Sequence, residues 1–176
     1  MSTTRFLACV CVFVLAGMPE PSFSQESGPN IGGCLDAVGT YMTERTSQLD
    51  GKSRIDRGLI ALTNGGHAFV TDSAQGGLEG YQPFSNGSGV WRCLGKEGGK
   101  DKLKIMTFDF TTTPNAQTDR YIARVTVEAI ADPVANVISG TSVVEFLAID
   151  AAPDSTETVR PPVSYDFKGV RVVLKD

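Results

Sequence analysis

Two opposite charges stand inside otherwise apolar runs of this sequence: Arg124 in YIARVTVEAI and Glu145 in ISGTSVVEFLAI. If both runs are strands joined by a turn near residues 132 to 137, antiparallel pairing brings position 124 opposite 145 to 147, as cross-strand neighbours. Facing solvent, such a pair contributes only about 0 to 1 kcal/mol. Facing the inside of a barrel, it is a buried polar pair in a ligand cavity and therefore a functional candidate. The residues alone leave both orientations open.

Other groups with chemical potential are few. His67 is the single histidine and follows a tight Asn64-Gly65-Gly66 turn. A catalytic triad needs a histidine held between a serine and a carboxylate, and a solvated turn-flanking imidazole is the simpler reading. One histidine and two cysteines that suit a disulfide do not make a zinc site without carboxylates, so no metal and no cofactor are expected. Gly76-Gly77-Leu78-Glu79-Gly80 lacks the lysine and following helix of a phosphate loop and reads as a loop tip. The strand-borne acids Asp72, Asp109, Glu128 and Glu145 show no spacing that selects a catalytic pair, and solvated outer faces account for them. Asn86-Gly87-Ser88 is a formal glycosylation sequon in a loop.

Four cysteines are present, and their positions divide them. Arg5 precedes the apolar run Phe6 to Gly17, Pro19 and Pro21 break it, and Ser22-Phe23-Ser24 offers a cleavage site before Gln25. Residues 1–24 are thus expected to be a secretory signal, carrying Cys9 and Cys11. The run is too short to span a bilayer core of roughly 30 Å, so no stable membrane anchor is expected after cleavage. Cys34 and Cys93 remain, an even pair in an exported chain. Joined, they would close a loop of about 60 residues, worth roughly 4 kcal/mol through chain entropy. Two unpaired buried thiols are the alternative. A formal net charge of −4 without a basic cluster offers nothing to nucleic acid or anionic lipid.

The elements that must position these groups read as strands throughout. Residues 25–34 are a loose lead-in, and 35–176 form a single β domain. Strands are expected at 35–47, 54–62, 68–72, 90–94, 102–112, 121–130, 138–149 and 164–174, with a long glycine-rich loop from 73 to 89. Leu35 to Met42 has at most one turn of helical spacing. The clearest alternation lies in Tyr121, Ala123, Val125, Val127 and Ala129, which share one face. Eight short antiparallel strands close into an up-and-down barrel or split into a sandwich, and closure, which removes both edges, is favoured. Its interior holds side chains or one small ligand.

Gly39-Thr40-Tyr41 on the first strand and Gly169-Val170-Arg171 on the last resemble the lipocalin or calycin arrangement. There a Gly-x-Trp packs under an arginine from the closing strand; here Tyr41 replaces the tryptophan. Across residues 39 to 150, the pieces GTYMT, LIALTNGGHAFVTDSAQGG, PFSNGSGVWRCLG, TFDFT, IARVTVEA and ISGTSVVEFLAID resemble secreted bacterial proteins with an allene-oxide-cyclase-like, calycin-like barrel. The resemblance implies an eight-stranded antiparallel barrel, in a group that includes cyclases and proteins without assigned activity. It transfers no catalytic residue. The expectation is an exported, secreted or periplasmic barrel binding a small apolar ligand, with Tyr41, Trp91, Met106, Phe108, Phe110, Arg124 and Glu145 as cavity candidates. A cyclase or isomerase that shapes its substrate in the barrel, and a structural barrel with a packed lumen, are the competing readings.

Overall fold

The computed structural model describes residues 31–49, 52–77, 82–112 and 120–175. The expected signal segment and most of the lead-in lie outside them. Eight antiparallel strands close into one barrel in chain order. They are β1 (Gly39–Leu49), β2 (Lys52–Leu62), β3 (His67–Asp72), β4 (Gly87–Glu97), β5 (Lys100–Phe110), β6 (Tyr121–Asp132), β7 (Val137–Ala148) and β8 (Arg160–Arg171).

Turn chemistry explains the meander. Gly98 and Gly99 both have positive φ (58° and 80°) at the tip joining β4 to β5, the conformation that matches a two-residue hairpin to strand twist. Asn136, φ 56°, turns β6 into β7 in the left-handed region that asparagine tolerates. Several boundaries depart from the sequence reading, among them β8, which runs from Arg160 to Arg171 rather than over 164–174. Leu35–Ala37 is a 3-10 turn, so the first strand begins at Gly39. β4 begins at Gly87 and absorbs glycines that suggested loop. The reason is steric: a Cβ at Gly89 would stand 2.0 Å from the Met106 carbonyl oxygen. Glycine is required where two backbones approach this closely.

The 3-10 turn plugs one end of the barrel. Cys34 is bonded to Cys93, with Cα atoms 5.6 Å apart, as the sequence suggested. Ala37 of the plug is fully buried, and beneath it lie Trp91, Tyr41, Leu103, Ile105 and Ile138, all essentially inaccessible. Trp91 Nε1 donates to the Thr63 carbonyl at 2.9 Å, which satisfies the indole without opening the core. Tyr41 Oη donates to the Ala37 carbonyl at 2.9 Å and accepts from Arg171 Nη2 at 2.7 Å. The Arg171 guanidinium lies 5.2 Å from the centre of that ring and also donates to the Asp36 carbonyl. The first and last strands are thus locked to the plug by one tyrosine and one arginine.

Candidate functional site in the charged half of the barrel

Strand parity decides which side chains face the interior, because directly paired residues of an antiparallel ladder share a face. On β6, Ala123, Val125, Val127, Ala129 and Ala131 are buried, which makes the alternating apolar face the inner one. Their β5 partners are Asp109, Thr107, Ile105, Leu103 and Asp101, also buried. Met106, Phe108 and Phe110 occupy the opposite parity and point out of the barrel, Phe110 half exposed. Of the seven cavity candidates, then, Tyr41 and Trp91 lie in the packed core near the plug, and these three lie on the outer wall.

Arg124 and Glu145 pair in register, with Nε to Oε2 at 2.9 Å, but on the outer wall as well. They are not bathed in solvent: Arg124 Nη1 donates to the carbonyls of Pro153 (3.0 Å) and Ser155 (2.8 Å). The pair is a clasp that holds the β7–β8 loop against the outside of the barrel.

The interior of the half away from the plug is charged instead. Arg45 Nη1 lies 2.8 Å from Asp72 Oδ2, and its Nε lies 3.6 Å from Asp56 Oδ2. Arg54 Nε reaches Asp56 Oδ1 at 2.7 Å. The Arg45 guanidinium sits 4.3 Å from the centre of the Tyr165 ring. Burial pushes the Tyr165 phenol up, against the pull of Arg45 and Ser142. Asp109 is 7% exposed; burial first, and the Asp72 charge second, raise its carboxyl to about 7. Asp72 and Asp109 were expected on solvated outer faces, and both correct that reading: they face inward. Glu128, in contrast, faces out with its side chain 72% exposed. His67 is exposed, in keeping with a solvated turn-flanking imidazole.

These charges sit where the wall of the barrel parts. β1 and β8 pair only from Tyr41↔Arg171 to Glu44↔Lys168, although β1 runs on to Leu49 and β8 begins at Arg160. A cleft of about 450 Å³ opens along this seam, lined by Glu44, Arg45, Thr46, Ile55, Asp166, Phe167 and Lys168. Arg45 and Phe167 also line a small interior cavity of about 40 Å³ with Tyr165, Ser142, Asp56 and Asp72. The cavity is water-sized; the cleft falls in the 300–1,000 Å³ range of ligand sites. No group of three or more histidine, cysteine, aspartate or glutamate side chains is placed to hold a metal ion among the described residues.

Closed walls, a plugged end and a side seam floored by buried charge define an eight-stranded antiparallel up-and-down barrel. Set against known protein families, curated proteins and solved structures, the chain matches none of them.

Proposed function

We propose that this chain is an exported barrel that binds a small ligand with an apolar body and a polar head, admitted at the β1–β8 seam. The observation that carries the reading is Arg45, which floors both the seam cleft and the interior cavity. Burying a guanidinium with two carboxylates costs desolvation that a packed apolar interior avoids. A binding role accounts for that expense. Export is supported by the Cys34–Cys93 bond, since disulfides persist in oxidising compartments. Ile55 and Phe167 supply apolar wall to the cleft, and Lys168, Asp166 and Glu44 supply polar rim.

Native mass spectrometry of protein isolated from its natural source tests this. The expected result is a mass excess that disappears on denaturation and belongs to one small organic molecule. Protein that carries no such mass, and takes up none from an organic extract of the same cells, overturns the reading. A second reading, a structural barrel with a packed lumen, draws on the water-sized interior cavity. It expects replacement of Arg45 and Asp72 together by apolar residues to raise stability and change nothing else.

A further inference from the structure

A second group of interior polar atoms lies toward the end of the barrel opposite the plug, and two of them have no hydrogen-bond partner among the described residues. Asp109, Ala123, Phe146 and Arg160 are successive cross-strand partners on β5, β6, β7 and β8, so all four share the inner face. The Arg160 guanidinium lies 3.4 Å from the centre of the Phe146 ring and 5.4 Å from that of Tyr121. Stacked between two rings, it is fixed in orientation before any ligand arrives. Its Nε is nevertheless buried with no hydrogen-bond partner among the described residues, and it takes part in none of their ion pairs.

The next interior row repeats the deficit: the fully buried Thr107 hydroxyl also has no partner among the described residues. Buried polar groups in folded proteins are nearly always paired, and each exception asks for a missing partner. Here the Arg160 Nε–H and the Thr107 hydroxyl lie on neighbouring interior rows, with the Asp109 carboxyl on the same row as Arg160. Around the wall, Asp109 and Arg160 are three strand spacings apart, roughly 14 Å, and closer across the curved interior. A guanidinium held against aromatic rings, with its Nε–H unpaired among the described residues, can donate a charge-assisted hydrogen bond to a carboxylate.

We propose that the ligand carries a carboxylate held by Arg160, its body lying against Phe146 and Tyr121 and its far end reaching Thr107 and Asp109. The proposal rests on the small-ligand reading above and names the chemical class of that ligand. Octanoate and benzoate serve as probes, with 1-octanol and benzyl alcohol as neutral counterparts of similar shape. Isothermal titration calorimetry on the full mature chain is expected to show each acid binding roughly tenfold or more tightly than its alcohol. Arg160→Met is expected to abolish that preference while leaving alcohol binding unchanged, and Arg160→Lys to keep part of it. Arg160→Gln takes the place of the methionine variant if circular dichroism shows that the latter does not fold.

Acids and alcohols that bind alike, or an acid preference that survives Arg160→Met, overturn the carboxylate assignment and leave the small-ligand reading standing. Failure of all four probes to bind overturns the assignment as well. Whether the small-ligand reading falls with it is then decided separately by the native mass measurement.

Discussion

Arg45 and Asp72 meet 2.8 Å apart inside the barrel, one residue beyond the last β1–β8 pair, Glu44↔Lys168. The ion pair ties β1 to β3 across the interior at the level where the backbone ladder between first and last strands has stopped. The stack of Arg45 on Tyr165 adds β8 to the same tie. The seam is therefore bridged by side chains rather than by backbone hydrogen bonds.

Removing the arginine should expose that arrangement. Arg45→Met removes the cation that Asp72 meets and leaves Asp56 with Arg54, and loss of one partner of a buried pair costs about 3 kcal/mol or more. Chemical denaturation is expected to show this loss, and hydrogen exchange to show faster opening of β8 than of β6. A variant as stable as the parent would mean that solvent reaches the carboxylates through the seam.

Asp109 supplies a pH test. Its folded carboxyl titrates near 7 rather than at the ordinary 3.8, so between those values the folded chain holds a proton that the unfolded chain has lost. Stability therefore falls as pH rises from about 4 to about 7 and is level above, for this group taken alone. The difference corresponds to at most roughly 4 kcal/mol. Asp109→Asn should flatten the slope, stabilising the protein at pH 8 and changing little at pH 4. Denaturant midpoints at the two pH values check this, and an equal effect at both would contradict it.

At the plugged end, Tyr41→Phe removes a hydroxyl that donates to Ala37 and accepts from Arg171. Leaving a buried carbonyl without its donor costs about 1 to 3 kcal/mol. Arg171→Met should cost a similar amount, and the double variant less than the sum, because both act on one contact. Thermal unfolding of the three variants reads the coupling; strict additivity would show that the two side chains act independently.

The strand order was legible because its signals are local, whereas the plug, read as the start of the first strand, was not. Turns at Asn64-Gly65-Gly66, Gly98-Gly99 and Asn136 mark the hairpins, and the Tyr121-to-Ala129 alternation marks the inner face of β6 without ambiguity. The candidate site was legible only in part. KLKIMTFDF is apolar on both faces, so its aromatic residues suggested an interior that Asp109 and Thr107 in fact occupy. Hydrophobic pattern cannot set the phase of a strand whose outer face also carries Met106 and Phe108; the pairing with Val127 and Ala129 sets it. The ion pair of Arg45 with Asp72 joins two strands that are not neighbours in the sheet, and no turn or periodicity announces such a contact. Residues expected to be solvated were placed inside by barrel closure, a global event.

The disulfide between Cys34 and Cys93 fixes the plug to β4. For a chain beginning at Gln25, a thiol assay on unreduced, denatured protein is expected to find no free thiol; two would refute the bond. Reduction should lower stability by roughly 4 kcal/mol on the chain-entropy account, read as a shift of the denaturant midpoint. The loss should appear first as exposure of Trp91, which packs under the plug, and tryptophan fluorescence reports it.

Arg124 gives the last test, since its surroundings separate a structural clasp from a ligand contact. Its guanidinium is committed to Glu145, Pro153 and Ser155, all outside the lumen. Arg124→Met keeps the aliphatic stem and releases the β7–β8 loop, so limited proteolysis should cut between residues 150 and 159 faster than in the parent. The global cost should stay near 1 kcal/mol, because the pair is partly exposed and the ladder beneath it remains. Glu145→Gln should loosen the loop less, since the Arg124 bonds to the two carbonyls remain. Ligand binding in the lumen should be the same in both variants as in the parent chain. A loss of binding in either would place the pair in communication with the interior and return the clasp to the list of functional residues.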